Sequence, residues 1–414
     1  MDDSLIPKDK RAVSLAILVA ALGYFVDIYE LLLFSIVRVQ SLKDIGVPES
    51  ELLDSGVLLL NMQMGGMLIG GILWGVLGDK RGRLSVLFGS ILLYSIANIA
   101  NGFVNSLEMY SALRLIAGIG LAGELGAGVT LVAEIMPKET RGYGTTLIAT
   151  IGVLGAVLAA IIGDTFDWRT AYFIGGGMGL ALLALRIGVY ESGMFEHTKK
   201  QSVKRGSFFS LFSNKATLAK YARVVLMGLP TWFVVGILIT FSPEFGKAFG
   251  MTDIPSAGKA VMYCYIGLSI GDLTSGLLSQ ILQSRLKVMR MFLALTCVCI
   301  ALYFTIASSS IGTFYLVCGI LGFGVGFWAM FVTIASEQFG TNIRATVTTT
   351  VPNFARGAVV PLTFIFQSLS SYVGLSWGAI ITGSMTFIIA FLALRNLDET
   401  YGKDLNYIED FEIS

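Results

Sequence analysis

Twelve apolar runs divide this sequence, and they limit what it can fold into. They fall at 12–37, 54–77, 84–104, 108–135, 142–164, 170–189, 220–243, 257–282, 289–308, 312–335, 345–370 and 376–395. A helix needs about 20 apolar residues to cross a bilayer core roughly 30 Å thick. Charged residues make up 14% of the chain, against about 25% in soluble domains. The reading is an all-α membrane protein of twelve transmembrane helices. Its first run is too long for a cleavable signal and lacks a small-residue cleavage site, so it is expected to remain as a helix.

The longest polar interruption runs from Glu191 to Ala219. It predicts a six-helix bundle over 1–190, a linker over 191–219, a second six-helix bundle over 220–395 and a tail over 396–414. Basic residues set the orientation. With the N-terminus in the cytoplasm, inside segments hold 22 of the 29 Lys and Arg residues. Those 22 include Arg186. Outside fall Arg38, Lys43, Arg169, Lys247 and Lys259, and Arg114 and Arg356 lie within the membrane. Both termini and the linker are therefore expected in the cytoplasm, with the protein in the plasma (inner) membrane.

The halves repeat one another. Glu134 precedes Arg141 by seven residues after the fourth run, and Glu337 precedes Arg344 by seven after the tenth. Glu191-Ser192 follows the sixth run and Glu399-Thr400 the twelfth. Such internal repeats mark transporters built from two related bundles with the site between them.

Charges inside apolar runs are costly, so each is a functional candidate. The fourth run holds Arg114 and Glu124 among five glycines, which allow close helix approach. The first holds Asp27 and Glu30, three apart and so on adjoining parts of one helix face. Asp272 and Arg356 fall near the centres of the eighth and eleventh runs. Arginine keeps its proton, whereas burial favours the neutral form of a carboxylic acid. Asp27, Glu30 and Glu124, beside Arg114, are the expected proton-coupling group, with Arg114 paired to Asp27 or Glu30. The only histidine, His197, lies in the linker. Arg356, whose planar fork matches a carboxylate, is the expected substrate anchor. Asp272 is its expected counter-ion, and Tyr24, Tyr29, Trp232, Tyr265, Trp328 and Phe354 are the expected aromatic lining.

Between the second and third runs stands Gly75-Val-Leu-Gly-Asp79-Lys80-Arg81-Gly82-Arg83. It combines a helix end, a turn glycine and basic residues at the negative end of the dipole. It resembles the Gly-x-x-x-Asp-Arg/Lys-x-Gly-Arg/Lys loop of the major facilitator superfamily. The matching loop of the second half, Gly276 to Arg285, lacks the aspartate. Arg114-x-x-x-Gly118-x-Gly120 resembles the family's fourth helix. Gly118 to Glu124 resembles a segment of metabolite–proton symporters and nicotinate-type carriers, and Asp27-Ile-Tyr-Glu30 resembles the Asp-x-Tyr-Asp pattern of metabolite and aromatic-acid proton symporters, with Glu30 in place of the second aspartate. Glu134-x-x-Pro137-x-x-x-Arg141, Asp167-Trp168-Arg169 and Glu399-Thr-x-Gly402 resemble sugar porters and organic-ion transporters. The resemblance implies two pseudo-symmetric six-helix bundles and a cytoplasmic gate of Gly75, Asp79, Lys80, Arg83, Glu134, Arg141, Glu337 and Arg344.

The resulting expectation is a monomeric secondary transporter, not an enzyme, that imports a small organic anion with protons by alternating access. It would use the proton gradient, with no cofactor, metal or nucleic acid. An organic-cation or drug/proton antiporter and a transporter-like receptor or regulator are the alternatives. No nucleophile–histidine pair or metal-ligand cluster is visible, no Gly-x-x-x-x-Gly-Lys-Ser/Thr phosphate loop occurs, and the four cysteines read as packing residues.

Overall fold

The computed structural model describes residues 10–81, 83–124, 141–191, 211, 214–340 and 343–403. Side chains at 10–16, 76, 78–85, 141–143, 145–146, 149, 187–191 and 344–345 lie outside that description.

Each of the twelve predicted runs contains helix among the described residues, which hold no strand. The apolar runs are called spans one to twelve below. Among the described residues, seven stretches are long and apolar enough to cross a membrane: Ile17–Asp44, Glu49–Gly75, Lys215–Ile239, Ala257–Ile281, Arg285–Ser309, Ile311–Glu337 and Leu375–Arg395. These are spans one, two, seven, eight, nine, ten and twelve. The other five are shorter, interrupted or only partly described: Arg83–Asn101, Leu107–Leu121, Arg141–Val153 with Gly155–Thr165, Trp168–Glu191, and Arg344–Gly357 with Val359–Val373.

Helix starts follow local chemistry. Ser106, Ser256, Ser284 and Ser310 each accept a hydrogen bond from the backbone N–H three residues on. This satisfies one of the donors that a helix N-terminus leaves unpaired. Gly374 (φ +82°) makes the turn between spans eleven and twelve, a conformation that costs glycine little. Span one runs on to Asp44, past the predicted end at 37, because Arg38 and Ser41 are themselves buried.

Glycines set the packing, and they do so twice. A β-carbon on Gly66, Gly70 or Gly118 would strike the backbone of the facing helix in the span two–span four pair. The same holds for Gly267, Gly271, Gly322 and Gly326 between spans eight and ten. Small residues thus bring helix axes close at equivalent places in both halves. Across the halves, span two packs on span eleven, span five on span eight, and span one on span eight. Asn353 of span eleven donates to the carbonyl of Ala122 at 2.7 Å, where the helix of span four ends.

Candidate functional site

Span one carries Asp27 into the centre of the bundle, where its side chain is fully buried. Its partner comes from the other half: Arg356 Nη2 lies 3.8 Å from Asp27 Oδ2. That distance is an ion pair without a hydrogen bond, and among the described residues neither Arg356 nor Asp27 has a hydrogen-bond partner for its side chain. The guanidinium lies 5.8 Å from the ring centres of both Trp232 and Trp328. Those two indoles meet edge to face at 5.9 Å, and Phe331 packs on Trp328 at 4.9 Å. Tyr24 and Tyr265 are buried within electrostatic range of Arg356 and Asp272. The result is a cation among aromatic faces, held loosely by an acid on the opposite bundle.

The sequence expectation paired these charges differently. Asp272 makes no ion pair with Arg356; its Oδ1 accepts from the backbone N–H of Ala329 at 3.0 Å. Tyr29 turns away from the centre and donates to the carbonyl of Ala171 at 2.9 Å. Phe354 packs against Tyr221 at 6.0 Å. Nothing in its described contacts places it at Arg356.

Arg114 stands inside the first bundle. It donates to Tyr172 at 3.4 Å and to Asn98 at 3.5 Å, and lies over the rings of Phe34 and Tyr172. Tyr172 shares a 2.8 Å hydrogen bond with Tyr110, which reaches Ser41. Glu30 is fully buried, its carboxylate oxygens have no hydrogen-bond partner among the described residues, and it lies within electrostatic range of Arg114 and Asp27. Neither Asp27 nor Glu30 forms a described ion pair with Arg114, although Glu30 is its neighbour.

Three buried arginines, Arg186, Arg38 and Arg285, were not among the site residues expected from the sequence. Arg186, assigned there to an inside segment, forms a two-pronged pair with Glu124 deep between spans four and six. The pair lies against Gly23, where a β-carbon would strike both side chains. Its position within the run 170–189 was the available signal. Arg38, assigned to the outside, is also fully buried. It gives two hydrogen bonds to Glu244, at 2.7 and 2.8 Å, and one to the carbonyl of Leu52 at 3.2 Å. Phe241 lies 4.7 Å beneath its guanidinium. Glu244 sits in the helix Ser242–Ala248, beyond a widened stretch at 234–239 in span seven. This contact joins the two halves at the end bearing the span one–two connection. Thr240 to Ser35 (3.2 Å), Gln367 to Asp54 (2.9 Å) and Thr363 to Asn61 (2.8 Å) join them there too. On the rim, Lys247 bridges to Glu49 at 3.1 Å. The hydrogen bond and charge of Lys247 hold the Glu49 carboxyl below its usual value.

At the opposite end, Asp79, Lys80 and Arg83 occupy the helix boundary between spans two and three. Their side chains, and those of Arg141 and Arg344, lie outside the described residues, as does all of Glu134. Gly75 packs on Thr350 of span eleven. Glu337 pairs with Arg285 at 3.5 Å and accepts from Thr400 at 2.7 Å. Glu399 accepts from the backbone N–H groups of Arg285 (2.8 Å) and Leu286 (3.2 Å) and from the Ser284 hydroxyl. Burial pushes its carboxyl up, but these hydrogen bonds outweigh it and hold the group below its usual value. The loop without the aspartate therefore uses Glu399, from the chain after span twelve, as its acid. Arg285 was missing from the sequence expectation.

Comparison with known proteins agrees with this architecture. The Major Facilitator Superfamily pattern matches residues 13–360. The chain is 25% identical over 401 residues to a probable 4-methylmuconolactone transporter of Cupriavidus pinatubonensis, covering 92% of this chain and 89% of that one. It is 26% identical over 364 residues to the niacin transporter NiaP of Acinetobacter baylyi, covering 79% and 80%. The solved structure of the proton:xylose symporter XylE superposes with a TM-score of 0.72 at 18% identity, covering 96% of this chain and 98% of that one. This last likeness concerns the fold.

Proposed function

We propose, for a chain that belongs to the Major Facilitator Superfamily, that this multi-pass membrane transporter imports a small aromatic or heteroaromatic carboxylate together with a proton. The observation that carries the reading is Arg356: a fully buried guanidinium between Trp232 and Trp328 whose one ion partner among the described residues is Asp27, across the two halves. A carboxylate offers two oxygens to that fork, and the flat body it carries finds aromatic faces. The names of the relatives, for niacin and for a ring lactone, fit this chemistry.

Charge balance links the proton to the substrate. The empty site holds Asp27 as an anion beside Arg356 as a cation. When a proton neutralises Asp27, Arg356 loses its partner, and a buried uncompensated charge is costly. An arriving carboxylate restores neutrality. The loaded and the empty site then carry the same net charge across the low-dielectric interior, with one proton per carboxylate. Glu30, buried beside Arg114 in the first bundle, relays the proton, while Arg114 stays charged and tunes it. The halves rock about this site, alternately parting at the Arg38–Glu244 end and at the Asp79–Arg83 end. The second of these faces the cytoplasm, with both termini, in the plasma membrane, and the working unit is a monomer.

Binding of nicotinate and its neutral analogue nicotinamide to purified wild type and Arg356→Ala tests the reading. Wild type should prefer the acid, and Arg356→Ala should lose that preference. Equal binding of acid and amide by wild type, or unchanged acid binding by Arg356→Ala, refutes the anion assignment.

A further inference from the structure

Span ten is broken. One helix ends at Gly324 and the next begins at Trp328. Val325 (φ −87°, ψ 6°) and Phe327 (φ −132°, ψ 17°) leave the helical course between them. The second helix starts in the middle of the bundle, where its first N–H groups have no carbonyl to accept them. A Ser, Thr, Asp or Asn normally stands at the cap position and accepts from the second or third N–H. Here that position is Phe327, which has no side-chain acceptor.

The missing acceptor comes from the neighbouring helix. Asp272 of span eight is fully buried, and its Oδ1 takes the N–H of Ala329, the second residue of the new helix. Two glycines make the approach possible. A β-carbon on Gly326 would lie 2.5 Å from Gly271 Cα and 2.7 Å from the Asp272 nitrogen, so the two backbones meet at the break. The residue before Ala329 is Trp328, one of the two indoles that enclose Arg356.

We propose that Asp272 is a positioning residue: it caps the second helix of span ten from outside that helix and thereby fixes Trp328 against Arg356. It neither carries the transported proton nor serves as the counter-ion of Arg356. The assignment rests on the hydrogen bond and the glycine contact; it refines the aromatic wall of the proposed anion site but stands whatever the substrate is.

The chemistry of the cap separates this role from a charge role. Asparagine caps a helix about as well as aspartate, and alanine does not. Glutamate keeps the charge but places it one methylene further out, off the position from which Oδ1 meets the Ala329 N–H. The test uses the full-length protein in detergent, without ligand, labelled with 5-fluorotryptophan. The five tryptophan fluorine resonances are assigned by single Trp→Phe substitutions. Asp272→Ala and Asp272→Glu should shift and broaden the Trp328 line, and that of its neighbour Trp232. Trp74, Trp168 and Trp377 should stay in place, which shows that the fold is intact. Asp272→Asn should leave all five lines where they are in wild type. Should Asp272→Ala not fold, the Asn and Glu variants still decide the matter. The proposal is overturned if Asp272→Asn displaces Trp328 while Asp272→Glu preserves it. It is equally overturned if the wild-type Trp328 line titrates with pH and Asp272→Asn abolishes that titration. Because no ligand is present, loss of the anion reading would leave these outcomes unchanged.

Discussion

Glu244→Gln should open the end of the protein that Arg38 holds shut. Arg38 is fully buried and directs two hydrogen bonds, at 2.7 and 2.8 Å, onto the carboxylate of Glu244 from the other half. The glutamine keeps one neutral oxygen and loses the charge. Hydrogen bonds to charged groups contribute about 1.5–3 kcal/mol each, and neutral ones about 0.5–1.5. Removing a partner entirely from a buried pair costs more, about 3–5 kcal/mol. Glu244 is 17% exposed, however, so water offsets part of the loss. A net weakening of about 2 kcal/mol corresponds to roughly a 30-fold rise in the population open at this end. Ser35 reports that opening. It is 2% exposed and accepts from Thr240 of span seven. In a protein whose four cysteines are replaced, Ser35→Cys should react with an impermeant maleimide at a rate proportional to the open population. Glu244→Gln should raise that rate by more than an order of magnitude. Glu49→Gln, which removes only the exposed rim pairs with Lys43 and Lys247, serves as control, because exposed pairs contribute little. If Glu244→Gln labels no faster than Glu49→Gln, Arg38 is a packing residue and the gate lies elsewhere.

Asp27→Asn should abolish accumulation of nicotinate against a gradient in proteoliposomes while sparing exchange; accumulation at the wild-type level would remove Asp27 from proton coupling. Glu124→Gln should strand Arg186 inside the bundle, a loss of about 3–5 kcal/mol in stability, read as a lowered Tm. The apolar pair Glu124→Leu with Arg186→Met should recover most of it. Glu399→Gln should lower the Tm at neutral pH, because the folded pKa of Glu399 lies below its unfolded value of about 4.3. A depressed folded pKa adds stability above the unfolded pKa, and that contribution is lost as pH falls through the folded pKa. The Tm difference between wild type and Glu399→Gln should therefore shrink below about pH 4. A difference independent of pH would refute the ionic account of that latch.

Helix positions were legible because the bilayer imposes a length on each apolar run, and length survives in one dimension. Burial of Asp27, Glu30, Arg114, Glu124, Asp272 and Arg356 was legible for the same reason: each lies inside a run, and each is buried in the structure. Partners were not. Arg356 lies 329 positions from Asp27 in the chain (356 − 27) and 3.8 Å from it in space. Which acid meets which arginine depends on how helices rotate and cross, and no spacing rule reaches between halves. The same limit hid Glu399, whose site is made by backbone N–H groups of Arg285 and Leu286 rather than by a complementary charge nearby in sequence. Asp272 was misread for a related reason. The break in span ten has no proline and no capping residue to announce it.

Burial of Arg38 and Arg186 changes the argument for proton coupling. By sequence, the membrane held four acids against two cations, and the surplus of acids itself suggested proton carriers. Arg186 now neutralises Glu124 through a two-pronged pair. Arg38 brings its own acid, Glu244. Asp272 is occupied with a helix end. A count no longer separates proton sites from structural pairs; satisfaction of hydrogen bonds does. Asp27 and Glu30 are the two intramembrane acids among the described residues whose carboxylate oxygens all lack a hydrogen-bond partner. A carboxylate with both oxygens engaged by an arginine fork, as in Glu124, must break those bonds to take a proton; Asp272 gives only Oδ1 to the helix end, and its Oδ2 has no hydrogen-bond partner among the described residues. Asp27, held only by a 3.8 Å contact, has no such bonds to break. On the proposed reading, Glu124 therefore leaves the expected proton-coupling group, and Asp27 and Glu30 remain, both on span one, with Asp27 the one that meets Arg356 of the second half.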